Sequence, residues 1–323
     1  MIIENFSDYF ISEYLKKFEI DRIFVYPGGT IAPLINSAIK FGLKVETFKT
    51  EQGAGYAAVS FGMANNVPQL LMVTSGPGFT NVISSICDAY FDSVPLVVVS
   101  GQVGTGDLLS DRKVRQLGFQ QVDGATMMKG VTKYSSCITS EVALSQLQNI
   151  LELSVENRPG PIFFELPMDI QRKVYHDLNL EEIGTIDTVA LPVLSGTDKS
   201  DLDVFYQQYN QAEKPLVLIG AGAVSSLKVQ KATVSLLREL KLPFVSSFRG
   251  IGLMSYSDPL NLGYLGHTGH QQANLATYES DFLLVLGSRL DVRQTGSEVH
   301  DFGQNRAIYS VNNDQSELLY SRV

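Results

Sequence analysis

Short apolar runs alternate with amphipathic stretches along the chain. Phe6, Phe10, Tyr14 and Leu15 recur at helical spacing and predict an opening amphipathic helix. Residues 22–26 read as a short buried strand, followed by a helix over 31–41. A strand-like run over 45–48, also read as buried, leads to Glu51, and small residues over 54–64 predict the next helix. Buried strands are expected at 69–74, 95–100, 134–138 and 161–166, with a helix running to about residue 91 and another over 140–155. Strands alternating with helices of this length imply right-handed crossovers and a parallel sheet.

The second half repeats the rhythm. A helix is expected at 201–212, a strand at 215–219, a helix at 227–240, and strands at 243–247, 281–286 and 307–311. Between the halves, 172–200 is polar and irregular and reads as a linker. The expected organisation is a first domain over 1–170, a linker over 171–199 and a second domain over 200–323. The fold class is α/β, with two doubly wound parallel-sheet domains in tandem, the second Rossmann-like. A length of 323 residues fits about two domains.

Composition narrows the partners. A net charge of -9 argues against nucleic acid or an anionic membrane. It leaves phosphorylated ligands open, because backbone N–H groups bind phosphate without Lys or Arg. Two cysteines, Cys87 and Cys137, and 4 histidines form no paired-ligand spacing, so neither a disulfide framework nor a metal site is expected. No basic-then-apolar leader opens the sequence and no apolar run approaches ~18 residues, so the expected location is cytoplasmic.

Candidate chemistry gathers at strand ends, where parallel sheets bind ligands. Pro27-Gly28-Gly29-Thr30 follows the strand ending at Tyr26; Ser75-Gly76-Pro77-Gly78-Phe79-Thr80-Asn81 follows the one ending at Thr74. Gly101-Gln102 closes a third. Glu51 sits at another strand end and in the first turn of a helix, which favours its ionised form, whereas burial favours the neutral one. It is either a helix-start carboxylate or a group held for proton chemistry. Residues 103–121, with Asp107, Asp111, Arg112, Lys113, Arg115 and Gln120, form either a lid or a solvated loop. In the second half, Gly220 and Gly222 make a weak dinucleotide signal, and no acid ends the following strand where a ribose contact belongs. Gly287, Arg289, Asp291 and Arg293 end strand 281–286, where the arginines either pair with a diphosphate or form internal ion pairs.

These motifs carry a resemblance. Tyr26-Pro27-Gly28-Gly29, Thr50-Glu51-Gln52-Gly53-Ala54-Gly55, Thr74-Ser75-Gly76-Pro77-Gly78 with Thr80-Asn81, Asp92-Ser93-Val94-Pro95, Gly101-Gln102, Phe119-Gln120 and Arg158-Pro159-Gly160-Pro161 occur in family order. They resemble the thiamine-diphosphate (ThDP) enzymes of the acetohydroxyacid (acetolactate) synthase type, over nearly the whole chain. The resemblance implies a pyrimidine-binding first domain, a central second domain and, in the family, a third domain for the diphosphate. It implies that Glu51 hydrogen-bonds N1′ of the aminopyrimidine and so promotes its imino form, which activates the thiazolium for attack on a 2-oxo acid. Tyr26, Pro27, Gly28 and Gly29 then line the ring pocket, Thr74, Pro77 and Asn81 shape its wall, and Gln120 points at substrate. Gly220, Gly222, Gly287, Arg289, Asp291 and Arg293 correspond to the central domain, which holds FAD in the synthases; FAD is therefore a possible second cofactor. Decarboxylation and carboligation of 2-oxo acids by a homodimer or tetramer is the implied activity.

Departures leave other readings open. His267-Thr268 stands where the family commonly has Met-His, and Ser246-Ser247-Phe248-Arg249-Gly250 and residues 111–117 also differ. A related 2-oxo acid decarboxylase fits as well. The family's Mg²⁺ motif, Gly-Asp-Gly followed by Asn-Asn, is absent: Gly104-Thr105-Gly106-Asp107 is not that motif, and Asn312-Asn313 is too distant to complete it. The expectation is that a third domain or another subunit supplies Mg²⁺ and the diphosphate site, or that the chain is a non-catalytic module. An NAD dehydrogenase is the third reading, and the missing ribose acid counts against it.

Overall fold

Period-two alternation decides the layers. Leu70 and Met72 of one strand join one apolar cluster, and Leu71 and Val73 the other. A sheet buried on both faces follows, as an all-parallel sheet requires. A computed structural model describes residues 2–108, 114–139, 146–174, 199–304 and 306–323. The chain divides into two units, Met1–Asp187 and Thr188–Val323.

In the first unit, helix α1 (Phe6–Lys17) is capped by Asn5, whose side chain accepts from Asp8 N at 3.0 Å. Strands β1 (Arg22–Val25), β2 (Lys44–Thr47), β3 (Gln69–Val73), β4 (Leu96–Gln102), β5 (Tyr134–Cys137) and β6 (Pro161–Pro167) form one parallel sheet in the order β2-β1-β3-β4-β6-β5. The chain leaves β1 towards β2 on one side and β3 towards β4 on the other. The order therefore reverses between β1 and β3, which opens a crevice beyond their carboxyl ends. Helix α2 (Ala32–Lys40) packs with α1 on one face; α3 (Glu51–Asn65) and α5 (Ile83–Phe91) cover the other, with the single turn α4 (Pro77–Thr80) between β3 and α5. Each fully buried Leu, Val, Ile or Phe contributes about 1.5–3 kcal/mol.

Several boundaries differ from the sequence pattern. Strand β2 is half-exposed rather than buried, because it is the sheet edge. Helix α3 starts at Glu51 rather than Ala54, because Thr50 accepts from Gly53 N at 3.1 Å and caps it there. A 3-10 turn, Gly29–Ile31, precedes α2. Gly101 and Gln102 belong to β4, paired with Leu166 and Pro167. Residues 103–121 contain a turn at Thr105–Asp107, and an unanticipated helix, α6 (Gly124–Met128), follows. Asp111, Arg112 and Lys113 lie outside the described residues, as does the start of the helix expected over 140–155, whose described part is α7 (Leu147–Leu153). Beyond β6, α8 (Met168–Arg172) leads to an antiparallel bridge between Val174 and Asn5. Most of the expected linker, 175–198, lies outside the described residues.

The second unit has the same logic. After α9 (Lys199–Gln211), strands β7 (Pro215–Ile219), β8 (Phe244–Ser246), β9 (Asn261–Tyr264), β10 (Phe282–Leu286) and β11 (Ala307–Val311) pair in parallel in the order β11-β10-β7-β8-β9. Helices α10 (Leu227–Glu239) and α11 (Gln271–Glu279) complete it. Its order reverses between β7 and β10. Phe205, Tyr209, Phe282 and Tyr309 pack into one aromatic group, Phe205 and Tyr309 edge-on at 4.9 Å. Among the described residues, no helix is long and apolar enough to cross a membrane.

Candidate functional site in the first unit

The crevice between β1 and β3 is built by close backbone approach. A Cβ on Gly28, after β1, would fall 2.4 Å from Thr74 Cβ, after β3. Only glycine lets the two loops meet there. Beside it, the hydroxyls of Thr30 and Thr74 hydrogen-bond at 2.7 Å, and Thr30 Oγ1 accepts from Ser75 N at 3.1 Å. Gln171 of α8, fully buried, donates from Nε2 to the carbonyls of Thr30 and Leu166, both at 2.7 Å. Tyr26 is half-buried and donates its N–H to Met72 O at 3.2 Å.

Glu51 opens α3, and its carboxylate lies half-buried beside the 74–81 loop. Asn81 donates from Nδ2 to Glu51 Oε2 at 3.2 Å. The other carboxylate oxygen has no hydrogen-bond partner among the described residues. The approach to α5 thus orients one oxygen of the carboxylate and leaves one to accept or hold a proton.

Gln120 reaches the same loop from a different direction. It adopts φ +56°, in the left-handed region, and packs on Gly76, itself at φ +61°. A Cβ on Gly76 would lie 2.6 Å from the Gln120 carbonyl oxygen. Behind this arm stands Glu165 of β6, 2% exposed. Glu165 accepts from Gln102 Nε2 at 2.9 Å and from the N–H groups of Gly124 and Ala125, both at 3.1 Å. Burial pushes its carboxyl up to about 7 even though these three donors favour the ionised form. Cys137 faces Glu165 across β5 and β6, and burial, with the Glu165 charge, pushes its thiol up to about 12.

Comparison with known proteins decides the lineage of this arrangement. Residues 6–127 match the thiamine pyrophosphate enzyme N-terminal TPP binding domain, and residues 205–322 match the thiamine pyrophosphate enzyme central domain. The chain belongs to the thiamine pyrophosphate enzyme family. The mitochondrial acetolactate synthase catalytic subunit of Saccharomyces cerevisiae is 30% identical over 298 residues, which cover 88% of this chain and 42% of the relative. The acetolactate synthase large subunit of Lactococcus lactis is 30% identical over 315 residues, covering 95% and 52%. Acetolactate synthase isozyme 2 large subunit of Escherichia coli is 29% identical over 300 residues, covering 93% and 52%. The chain spans about half the length of these relatives.

The first-unit residues fit an aminopyrimidine. Glu51 has a carboxylate oxygen, unpartnered among the described residues, that suits a ring nitrogen; Pro27 and Gly29 are exposed at the switch point, with nothing within 4 Å of a Cβ on Gly29, while Gly28 packs against Thr74. Asn81, Thr74 and Gln120 join the same crevice; Pro77 opens α4 on its exposed side. Among the described residues no group of His, Cys, Asp and Glu converges to hold a metal ion.

The second-unit residues meet each other across their own switch point. A Cβ on Gly220 would lie 2.2 Å from Gly287 O, and Gly222 N donates to Gly287 O at 2.9 Å. These glycines serve backbone packing. Arg289 faces Asp291 at 3.8 Å, Asp291 accepts from Arg293 N at 2.8 Å, and the Arg293 carbonyl accepts from His267 N at 3.0 Å. The Arg289–Asp291 pair is long and partly exposed and Arg293 is exposed, so both guanidinium groups stay accessible to a diphosphate. Sequence reasoning placed Thr30 in a strand-end loop without giving it a role, and passed over Gln171 and Glu165. The available signal for the last was one carboxylate inside an apolar run, Pro161-Ile162-Phe163-Phe164-Glu165-Leu166-Pro167.

Proposed function

We propose that the chain forms the pyrimidine-binding (1–170) and central (200–323) parts, joined by linker 171–199, of a ThDP-dependent cytoplasmic enzyme that decarboxylates and ligates 2-oxo acids in the manner of acetolactate synthase. The observation that carries the reading is the half-buried Glu51 carboxylate at the β1/β3 crevice, held by Asn81 through one oxygen only. ThDP, when bound, supplies an electron sink for the decarboxylation. Glu51 holds the proton at N1′ of the pyrimidine, and Asn81 keeps the carboxylate aimed. Tyr26, Pro27, Gly28 and Gly29 position the ring, Thr74 and Pro77 limit it, and Gln120 contacts the 2-oxo acid. Mg²⁺ and the diphosphate are held by a third domain or another subunit, and the working assembly is a homodimer or tetramer.

The test is pyruvate turnover with ThDP and Mg²⁺ by the protein purified in its native assembly. Glu51→Gln should lower kcat about 100-fold or more, the scale of a lost proton-transfer group, while circular dichroism stays unchanged. Carbon dioxide release without acetolactate would point instead to a related decarboxylase. Wild-type activity in Glu51→Gln would overturn the role of Glu51. Absence of turnover in the wild type would favour a non-catalytic module. FAD is the second cofactor reading, resting on the exposed Arg289 and Arg293 at the strand end of the second unit. A flavin absorbance spectrum in the purified protein would establish it.

A further inference from the structure

The arm that carries Phe119 and Gln120 is tied at both ends to one corner of the first unit. At its outer end, Asp169 of α8 accepts from Thr105 N at 2.9 Å and from Thr105 Oγ1 at 2.5 Å. Gly118 N then donates to Asp107 O at 3.1 Å, and a Cβ on Gly118 would meet Val103 at 2.7 Å. At its inner end, Glu165 accepts from Gly124 N and Ala125 N, and Gln102 bridges Glu165 to the carbonyl of Val122 at 2.8 Å. Gln120 itself holds a left-handed backbone, which costs a non-glycine residue roughly 1–2 kcal/mol. Such a conformation persists only where surrounding contacts over-determine it.

We propose that Glu165, seconded by Asp169, is a positioning residue: the two carboxylates at the end of β6 clamp the 103–108 and 118–125 segments so that Gln120 stays in its strained conformation against Gly76. Glu165 touches neither Gln120 nor Glu51; it acts through Gln102 and the start of α6. The groups facing it are Gln102 from β4, Cys137 from β5 and Asp123 at the head of α6. Among the described residues no cation pairs with it. A lone carboxylate buried on an apolar face is costly to keep. Its acceptor bonds give it a use: two of the three satisfy the otherwise orphaned N–H groups at the start of α6, and the third holds Gln102. The clamp stands on geometry alone; its bearing on substrate rests on the function proposed above.

The experiment is hydrogen exchange of the full chain, with Glu165→Gln and Thr105→Val beside the wild type. Glu165→Gln presents an amide N–H₂ to N–H donors and breaks the inner tie. It should speed exchange about 10-fold or more in peptides covering 118–126 and leave β3 and β4 unchanged. Thr105→Val keeps both carboxylates and should loosen only 103–108 and Gly118. Uniform loosening of the whole sheet in Glu165→Gln, or unchanged exchange over 118–126, would overturn the clamp. Should Glu165→Gln not fold, Thr105→Val alone decides, since unchanged exchange at 103–108 overturns the outer tie and the clamp with it. In the native assembly Glu165→Gln should raise KM for the 2-oxo acid more than it lowers kcat. A wild type without turnover would sink the functional reading, while the exchange result would still judge the clamp.

Discussion

Asn81 Nδ2 lies 3.2 Å from Glu51 Oε2, so a residue just before α5 orients the first residue of α3. The pair is on the exposed side of the crevice, and an exposed hydrogen bond contributes at most about 1 kcal/mol to stability. Asn81→Ala should therefore leave the melting temperature nearly unchanged while lowering turnover in the native assembly. Asn81→Asp should lower it further, because two adjacent carboxylates resist being ionised together. Thermal melts beside steady-state kinetics check both, and an Asn81→Asp variant as active as the wild type would remove Asn81 from the site.

Gly28 and Thr74 make the tightest approach across the switch point. Gly28→Ala forces its methyl into Thr74 Cβ, 2.4 Å away, and overpacking of this kind costs about 1–3 kcal/mol. Urea unfolding should show that loss. Adding Thr74→Gly, which removes the clashing atom, should recover part of it. A Gly28→Ala chain as stable as the wild type would show that the two loops separate easily.

Glu165 links stability to pH. Its folded value, raised by burial to about 7 from 4.5, means that the native state keeps a proton that the unfolded state has released. The stabilising contribution is complete below pH 4.5 and is lost as pH rises to about 7. The expected loss is on the order of 3 kcal/mol across that window. Urea unfolding at several pH values should show this slope in the wild type and not in Glu165→Gln. A stability that rises over the same window in the wild type relative to the variant would reverse the assignment.

Cys137 should be chemically quiet. Burial, with the nearby Glu165 charge, pushes its thiol up to about 12, and only the thiolate is the nucleophile. Iodoacetamide at about pH 8 should leave Cys137 unmodified in the folded chain and label it after denaturation. Peptide mass spectrometry reads the difference. Full labelling of the half-buried Cys137 in the native chain would contradict its raised thiol value.

Much of the crevice was legible in the linear pattern. Apolar runs marked β1, β3, β4 and β6, and the glycine- and proline-bearing segments after them marked strand ends. Asn81, Thr74 and Gly28 were picked from those ends and Glu51 from the end of β2, and the structure brings them into two contacting pairs. The edge status of β2 was read wrongly, because a four-residue strand is too short for its mixed apolar and polar positions to be told from a buried one by periodicity. Helix α6 escaped because five residues carry too little periodicity.

The sequence alone determined the strand and helix rhythm, the parallel α/β class and the set of residues at strand ends, because these depend on local spacing and on which residues avoid water. Tertiary structure alone decided which strand ends meet. Crossover connections put β1 beside β3 and β6 beside β4, and that order sets Gly28 on Thr74, Gln171 on Thr30 and Glu165 under the Gln120 arm. Residues 141 positions apart, as Thr30 and Gln171 are, meet only after the whole sheet has assembled. Glu51 was thus readable as a candidate from its place at a helix start, and its pairing with Asn81 became visible only once α3 and α5 lay side by side.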